Sequence, residues 1–366
     1  MNLDDEQQIP LWLLRLKVGD RTEQARFRRI QDSFSMLVGE DRRFDLTVKL
    51  LSQQSTGARQ PMLDIRVMDD TAGDISLAYQ GAGVWEALVL STLLDESEGH
   101  LVLLDEPAAN LHPGMQHRLI EILRGAPGQV LAVTHSAHLL PTLADEFQRV
   151  YRLQKSHLGT QIFSLGNTFA AQQDKLENEL RSSSDIAGLL FANGVLLVEG
   201  PTEIGAFSQW FLQSSASQGK TFADLNIVLH ALNGKAEIPF YLRFLTAYGV
   251  PWAVICDGDA LFPPGASPND KLWKVLKELQ LLPEVPSGTA LFETLKALAA
   301  NAGVDTYNSP SPIKFETVPE VKDFLDAEWT PPGKTAHRGR SIALHLSCPS
   351  VVDEVFRQSM RRLMVH

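Results

Sequence analysis

The chain is nearly without cysteine: Cys256 and Cys348 are the only two among its 366 residues. Two thiols cannot make a four-cysteine zinc site, and so low a content fits a reduced cytoplasm better than a disulfide-stapled secreted fold. Long apolar runs are also missing. No stretch approaches the roughly 18–20 residues that a membrane span needs. The opening residues Met1-Asn2-Leu3-Asp4-Asp5-Glu6 are acidic where a secretory leader would be basic, so no leader is expected. Positive excess is lacking too, the net charge being −11. That argues against a protein that coats nucleic acid through a basic surface. It leaves a nuclease open, because a bound metal reverses the sign of an acidic site. Internal repeats and low-complexity tracts are absent.

What is present describes a globular protein: 44% hydrophobic and 21% charged residues. The length suffices for two domains, each with its own core. The pattern predicts an α/β fold. Helical spacing over Ala25 to Val38 puts Phe27, Ile30, Phe34 and Leu37 on one face. Phe44 to Leu51 and Leu63 to Val67 alternate as the strands of a hairpin, with the turn over 53–60. Then short buried strands at 101–104, 130–133 and 150–153 alternate with helices, which predicts a parallel sheet. Residues 166–190 read as a polar linker. A second strand–helix run starts at Val195, and Pro263-Pro264 and Ser267-Pro268 open a helical insert over about 265–312. The expected divisions are therefore 1–165, 166–190 and 191–366.

Two constellations carry chemistry. In the first, the strand Leu101-Val102-Leu103-Leu104 runs into Asp105-Glu106-Pro107, followed by Asn110-Leu111-His112-Pro113. The next strand ends in Thr134-His135-Ser136. Upstream, Gln80-Gly81-Ala82-Gly83 opens a helix whose N–H groups could face a phosphate. An Asp-Glu strand end holds magnesium and polarises water in nucleotide hydrolases. These pieces resemble the signature loop, Walker B strand, D-loop and switch histidine of ABC-type ATPases, in the branch that includes SMC, RecF and OLD-type proteins. The resemblance implies nucleotide-contacting roles for Gly81, Gly83, Asp105, Glu106 and His135. A Walker A loop, Gly-x-x-x-x-Gly-Lys-Ser/Thr, is not found. The one Gly-Lys-Thr, Gly333-Lys334-Thr335, has Glu328 where the first Gly belongs and lies far downstream. ATP is therefore expected only with a P-loop supplied by a partner, or by a longer ancestral protein of which this chain is a part. The chain alone is expected not to hydrolyse ATP.

In the second constellation, the strand Val195-Leu196-Leu197-Val198 ends in Glu199, with Pro201 and Glu203 in the helix that follows. The strand Ala253-Val254-Ile255 delivers Asp257 and Asp259 around Gly258. Asp-Gly-Asp alone is an ordinary turn. Four carboxylates at neighbouring strand ends need a counter-charge, and a pair of hard divalent cations provides one. Such a pair serves in-line displacement at phosphorus.

Val198-Glu199-Gly200-Pro201-Thr202-Glu203, Asn233-Gly234-Lys235 and Asp257-Gly258-Asp259 resemble the TOPRIM domain of the OLD (overcoming lysogenization defect) endonucleases, and Gabija-type nucleases are similar. That family joins an ABC-type ATPase to a C-terminal TOPRIM nuclease, the order seen here. The resemblance implies a partial ATPase domain over 1–165 and a TOPRIM domain over 191–366. It implies that Glu199, Glu203, Asp257 and Asp259 bind two Mg or Mn ions. A further acid is expected among Glu316, Glu320 and Asp323, with Glu320 chosen as the metal ligand. A basic residue near the scissile phosphate is expected at Lys334, with Arg338 or Arg340 as substitutes. Lys235 reads as a surface lysine, His112, His138 and His157 as structural, and Cys256 as core.

TOPRIM sites also serve topoisomerases, primases and RecR-like proteins. The five tyrosines lack a surrounding nucleophile domain, and two cysteines lack a zinc module. The reading is a metal-dependent DNA endonuclease, cytoplasmic and not membrane-bound, acting as a homodimer or with a partner ATPase subunit. The alternatives are a non-catalytic or regulatory subunit whose ATPase lobe completes a site with a separate P-loop protein, and a decayed remnant of a longer gene.

Overall fold

The computed structural model describes residues 8–39, 41–52, 59–69, 73–166, 169, 172–182, 184–232, 234–261, 270–286, 292–307, 314–327, 331 and 333–364. Asn233, both proline breakers, Glu328 and most of the turn expected over 53–60 fall outside them. The chain divides into two compact units, Met1–Pro141 and Thr142–His366.

The first unit opens with α1 (Gln8–Val18) and α2 (Arg21–Val38). Asp20 caps α2: its Oδ1 accepts the N–H of Glu23 at 2.9 Å, and Glu23 Oε2 accepts the N–H of Asp20 at 3.1 Å. The expected α2 face, Phe27, Ile30, Phe34 and Leu37, is buried. Phe27 and Phe34 meet Phe44 edge-on, with ring centroids 5.5 and 5.3 Å apart. Phe44 lies on β1 (Arg42–Ser52), which pairs antiparallel with β2 (Arg59–Asp69), and β2 pairs antiparallel with β3 (Gly73–Ser76). Then come α3 (Ala82–Asp95), β4 (Leu101–Asp105), α4 (Pro113–Arg124) and β5 (Gln129–Val133). β4 and β5 are parallel, with Asp105 opposite Val133.

One face of this two-stranded sheet is open. Val102 and Leu104 point into the core, while Leu101, Leu103, Leu131 and Val133 are 54–67% exposed. Parallel sheets are ordinarily covered on both faces.

The second unit begins earlier than the expected division at 165. It holds α5 (Ala144–Phe147), β6 (Arg152–Ser156) and β7 (Gly159–Phe163). β6 was expected as a third parallel strand, but it pairs antiparallel with β7 as a hairpin. The tether is Arg152, whose guanidinium donates to the carbonyls of Leu190 at 2.9 Å and of Tyr248 and Gly249 at 3.1 Å. The expected linker is also structured. It contains α6 (Gln173–Ser182) and α7 (Ser184–Gly188), which bury Leu176, Leu180 and Ile186. Apolar residues at helical spacing inside a polar stretch explain the packing.

The remaining elements are β8 (Gly194–Val198), α8 (Pro201–Trp210), β9 (Ile227–Ala231), α9 (Ile238–Ala247) and β10 (Trp252–Cys256). They continue with α10 (Asp270–Glu278), α11 (Phe292–Asn301), β11 (Val304–Thr306), α12 (Pro319–Ala327), α13 (Ala336–His345) and α14 (Ser350–Leu363). Four parallel strands run in the order β11-β10-β8-β9. β8 is buried along its whole length, as a central strand covered on both faces should be. α8 and α13 touch backbone to backbone. A Cβ on Gly205 would lie 1.9 Å from the Ala336 carbonyl oxygen, and one on Gly339 would lie 1.8 Å from that of Thr202. Among the described residues, no helix is long and apolar enough to cross a membrane.

Candidate functional site

Strands β8 and β10 are neighbours in register, with Val198 opposite Ile255. Each runs straight into its acids, so Glu199 and Asp257 emerge side by side at the carboxyl edge of the sheet. The N–H of Asp257 donates to Glu199 Oε1 at 3.0 Å. Asp259 follows in a short 3₁₀ turn, Gly258–Leu261. One carboxylate oxygen from each of Glu199, Asp257 and Asp259 lies within 4.8 Å of the others. Pro201 occupies the first turn of α8, and Glu203, 7% exposed, points back towards the same edge.

Glu199, Glu203 and Asp257 open into a cavity of about 470 Å³, also lined by Thr202, Lys314, Phe315, Glu316 and Lys334. Burial, then the nearby Asp257 charge, push the Glu199 carboxyl up to about 7. Burial, followed by the charges of Asp257 and Glu199, pushes Glu203 up to about 8. Burial and the Asp259 charge raise Asp257, against the pull of the Phe315 N–H, which donates to Asp257 Oδ1 at 2.9 Å. Acids so raised are crowded acids short of counter-charge. The Thr202 hydroxyl is buried on the cavity wall with no hydrogen-bond partner among the described residues. An all-oxygen, anionic donor set of this kind fits a hard divalent cation.

The basic side differs from the sequence expectation. Lys334 does line the cavity. Arg338 instead reaches the carbonyl of Pro331 at 3.3 Å and pairs with Glu316 at 3.3 Å, and Arg340 is exposed on α13. Lys235, read as a surface lysine, forms an ion pair with Asp259 at 2.8 Å. Lys314, which the sequence did not single out, lies 3.6 Å from the same oxygen. Of the three acids considered downstream, Glu316 lines the cavity. Glu320 and Asp323 are exposed on α12 and are not among its lining residues. Glu316, rather than the expected Glu320, is the downstream acid at the cavity, because residues 315–317 form a 3₁₀ turn one turn before α12 starts. Tyr307 is fully buried and its phenol is pushed well up by burial, which rules it out as an exposed nucleophile.

In the first unit, Glu106 stands at φ +49°, a left-handed conformation for a residue other than glycine. Its N–H donates to the Val133 carbonyl at 2.9 Å, and its carboxylate lies 2.7 Å from His135 Nδ1. Asp105 ends β4 exposed. Gly81 caps α3, and a Cβ on Gly83 would come within 2.5 Å of the Asn110 carbonyl oxygen. The Asp-Glu strand end and the histidine are thus brought together, and the glycine-rich helix start abuts the loop after Asp105-Glu106.

Two family models match segments of the chain. The family model "Overcoming lysogenization defect protein-like, TOPRIM domain" matches residues 190–259. The family model "AAA domain, putative AbiEii toxin, Type IV TA system" matches residues 78–140. The uncharacterized protein YbjD of Escherichia coli (strain K12) is 28% identical over 169 residues, 45% of this chain. The chain spans 29% of the length of that relative. Among solved structures, the C-terminal region of the Xanthomonas campestris pv. campestris OLD protein aligns at TM-score 0.34 and 15% identity, over 48% of this chain and 96% of that one. The Smc head domain of Pyrococcus furiosus aligns at TM-score 0.32 and 15% identity, over 44% of this chain and 39% of that one. The chain therefore carries an OLD-like TOPRIM domain at residues 190–259, preceded by an AAA-type ATPase-like segment at residues 78–140.

Proposed function

We propose that this chain is a DNA endonuclease that cleaves phosphodiester bonds with Mg or Mn at the Glu199–Asp257–Asp259 centre. The observation that carries the reading is the approach of those three carboxylates to within 4.8 Å at adjacent parallel strand ends. Glu199, Asp257 and Asp259 would hold the cations, with Glu203 and Glu316 at the cavity wall. Bound divalent ions supply Lewis-acid polarisation of the phosphate and a water nucleophile at neutral pH. Lys334, on the cavity rim, offsets the charge of the scissile phosphate. The ion pair with Arg338 holds Glu316 at the cavity wall. The test is nicking of supercoiled plasmid in Mg, Mn or EDTA. Metal-dependent nicking that Asp257→Ala abolishes supports the reading, and equal nicking by that variant overturns it.

A second reading is a subunit whose ATPase lobe completes a composite site with a P-loop protein. The open apolar face of Leu101, Leu103, Leu131 and Val133 favours it. Co-expression with a P-loop protein encoded beside the gene would show a stable complex and ATP turnover sensitive to Glu106→Gln. ATP turnover by the purified chain alone, lost in Glu106→Gln, would count against it.

A further inference from the structure

The charges around the centre are divided unevenly. Glu199, Glu203 and Asp257 form no ion pair among the described residues, and their nearest compensation is backbone N–H groups. Asp259 has the opposite situation: one of its oxygens, Oδ2, faces both Lys235 Nζ at 2.8 Å and Lys314 Nζ at 3.6 Å. Lys235 is pinned there by the chain before it, because the Gly234 N–H donates to the Glu199 carbonyl at 3.0 Å. Lys314 stands on the residue before Phe315, whose N–H holds Asp257. The two lysines are thus attached to the backbone that shapes the acid cluster, while their ammonium groups sit on flexible stems.

We propose that Lys235 and Lys314 keep the Asp259 side of the centre closed to a second cation. In this scheme the free chain takes one divalent ion at Glu199 and Asp257. A second enters at Asp259 only when the ammonium groups leave it for a phosphate. The inference rests on the reading of the site as a metal-dependent phosphodiesterase and adds its order of assembly. A cation approaching Glu199 and Asp257 meets no ammonium group paired to them among the described residues, Lys235, Lys314 and Lys334 acting on them only from farther off. One approaching Asp259 Oδ2 meets two ammonium groups within 4 Å, where unit charges near a protein surface interact strongly. A nucleic-acid phosphate offers those groups an alternative anion, so substrate itself opens the second position. The centre then reaches its full charge only with substrate in place.

The experiment is a titration of the full chain with Mn²⁺ alone, without DNA, followed by the electron paramagnetic resonance signal of the free ion. Wild type should show one tight class of site. Lys235→Met/Lys314→Met should gain a second class bound at least about tenfold more tightly than any weak second class in wild type. Lys235→Arg, which keeps the charge, should behave as wild type, and adding Asp259→Asn to the double variant should remove the new class. Lys235→Gln carries the same expectation as Lys235→Met if methionine costs the fold, which circular dichroism will report. Two equal classes in wild type, or no gain in the double variant, would overturn the proposal. If wild type binds one ion and the lysine variants change nothing, only the lysine proposal falls. If no variant binds Mn²⁺ at all, the metal reading falls and takes this proposal with it.

Discussion

The N–H of Asp257 donates to the side chain of Glu199 at 3.0 Å, tying the end of β10 to the end of β8. Two acids that should repel are held together by a backbone dipole. The consequence is a pair whose carboxyls, Glu199 and Asp257, both sit above their ordinary range, so that metal and proton compete for them.

Replacing one of them isolates the chemistry from the fold. Asp257→Asn retains an oxygen for the Phe315 N–H but cannot supply a charged ligand. Plasmid cleavage in Mn should fall at least about a hundredfold. The metal-free variant should melt no lower than wild type, because a crowded charge has been removed.

The raised carboxyls also set a pH dependence. Glu199 at about 7 and Glu203 at about 8 hold protons in the folded state that the unfolded chain releases in the ordinary carboxylate range. The stability they contribute is complete below that range and is lost as pH rises through about 7 to 8. In EDTA the melting temperature should therefore fall from about pH 5 to pH 9. Saturating Mn²⁺ should flatten the fall and stabilise most at the alkaline end, since metal and proton compete for the same oxygens. Differential scanning fluorimetry across pH, with and without Mn²⁺, measures both slopes.

Gly339 admits no side chain, since a Cβ there would lie 1.8 Å from the Thr202 carbonyl oxygen. Gly339→Ala must push α13 off α8, at a cost of about 1–3 kcal/mol. Because α8 carries Glu203 and α13 follows Lys334, metal affinity should fall with stability. Chemical denaturation and Mn²⁺ titration of the same preparation would test the coupling.

Arg152 is the tether of the β6–β7 hairpin, serving the carbonyls of Leu190, Tyr248 and Gly249. Arg152→Ala leaves those acceptors short of a charged donor and should cost about 2–3 kcal/mol in urea unfolding. Arg152→Lys should recover only part, since a point charge cannot serve three acceptors in a plane.

Much of the site was legible because its signal is local. An apolar strand running into Glu199-Gly-Pro-Thr-Glu203, and another running into Asp257-Gly-Asp259, announce acids at a sheet edge without knowledge of the fold. The lysines were not legible in this way. Lys235 and Lys314 reach Asp259 from opposite directions along the chain, and no periodic pattern marks such a contact. Glu316 and Glu320 share one polar stretch, and only the 3₁₀ turn at 315–317 decides between them. Residues 150–153 read as one more parallel strand because so short a stretch, Val150-Tyr151-Arg152-Leu153, says nothing of its partner, which is β7 in an antiparallel hairpin. The linker reading failed for a related reason: the polar bulk of α6 hid the inward pair Leu176 and Leu180.

The glycine seam between α8 and α13 has a meaning for biosynthesis. Thr202 emerges from the ribosome long before Gly339, and α14 supplies Phe356, Met360 and Leu363 to the same core later still. A nascent chain thus carries Glu199, Glu203, Asp257 and Asp259 well before the helices that brace α8. Glu199, Glu203, Asp257 and Asp259 are encoded in the middle of the chain, but α13 and α14, which pack around α8, are delivered near its end.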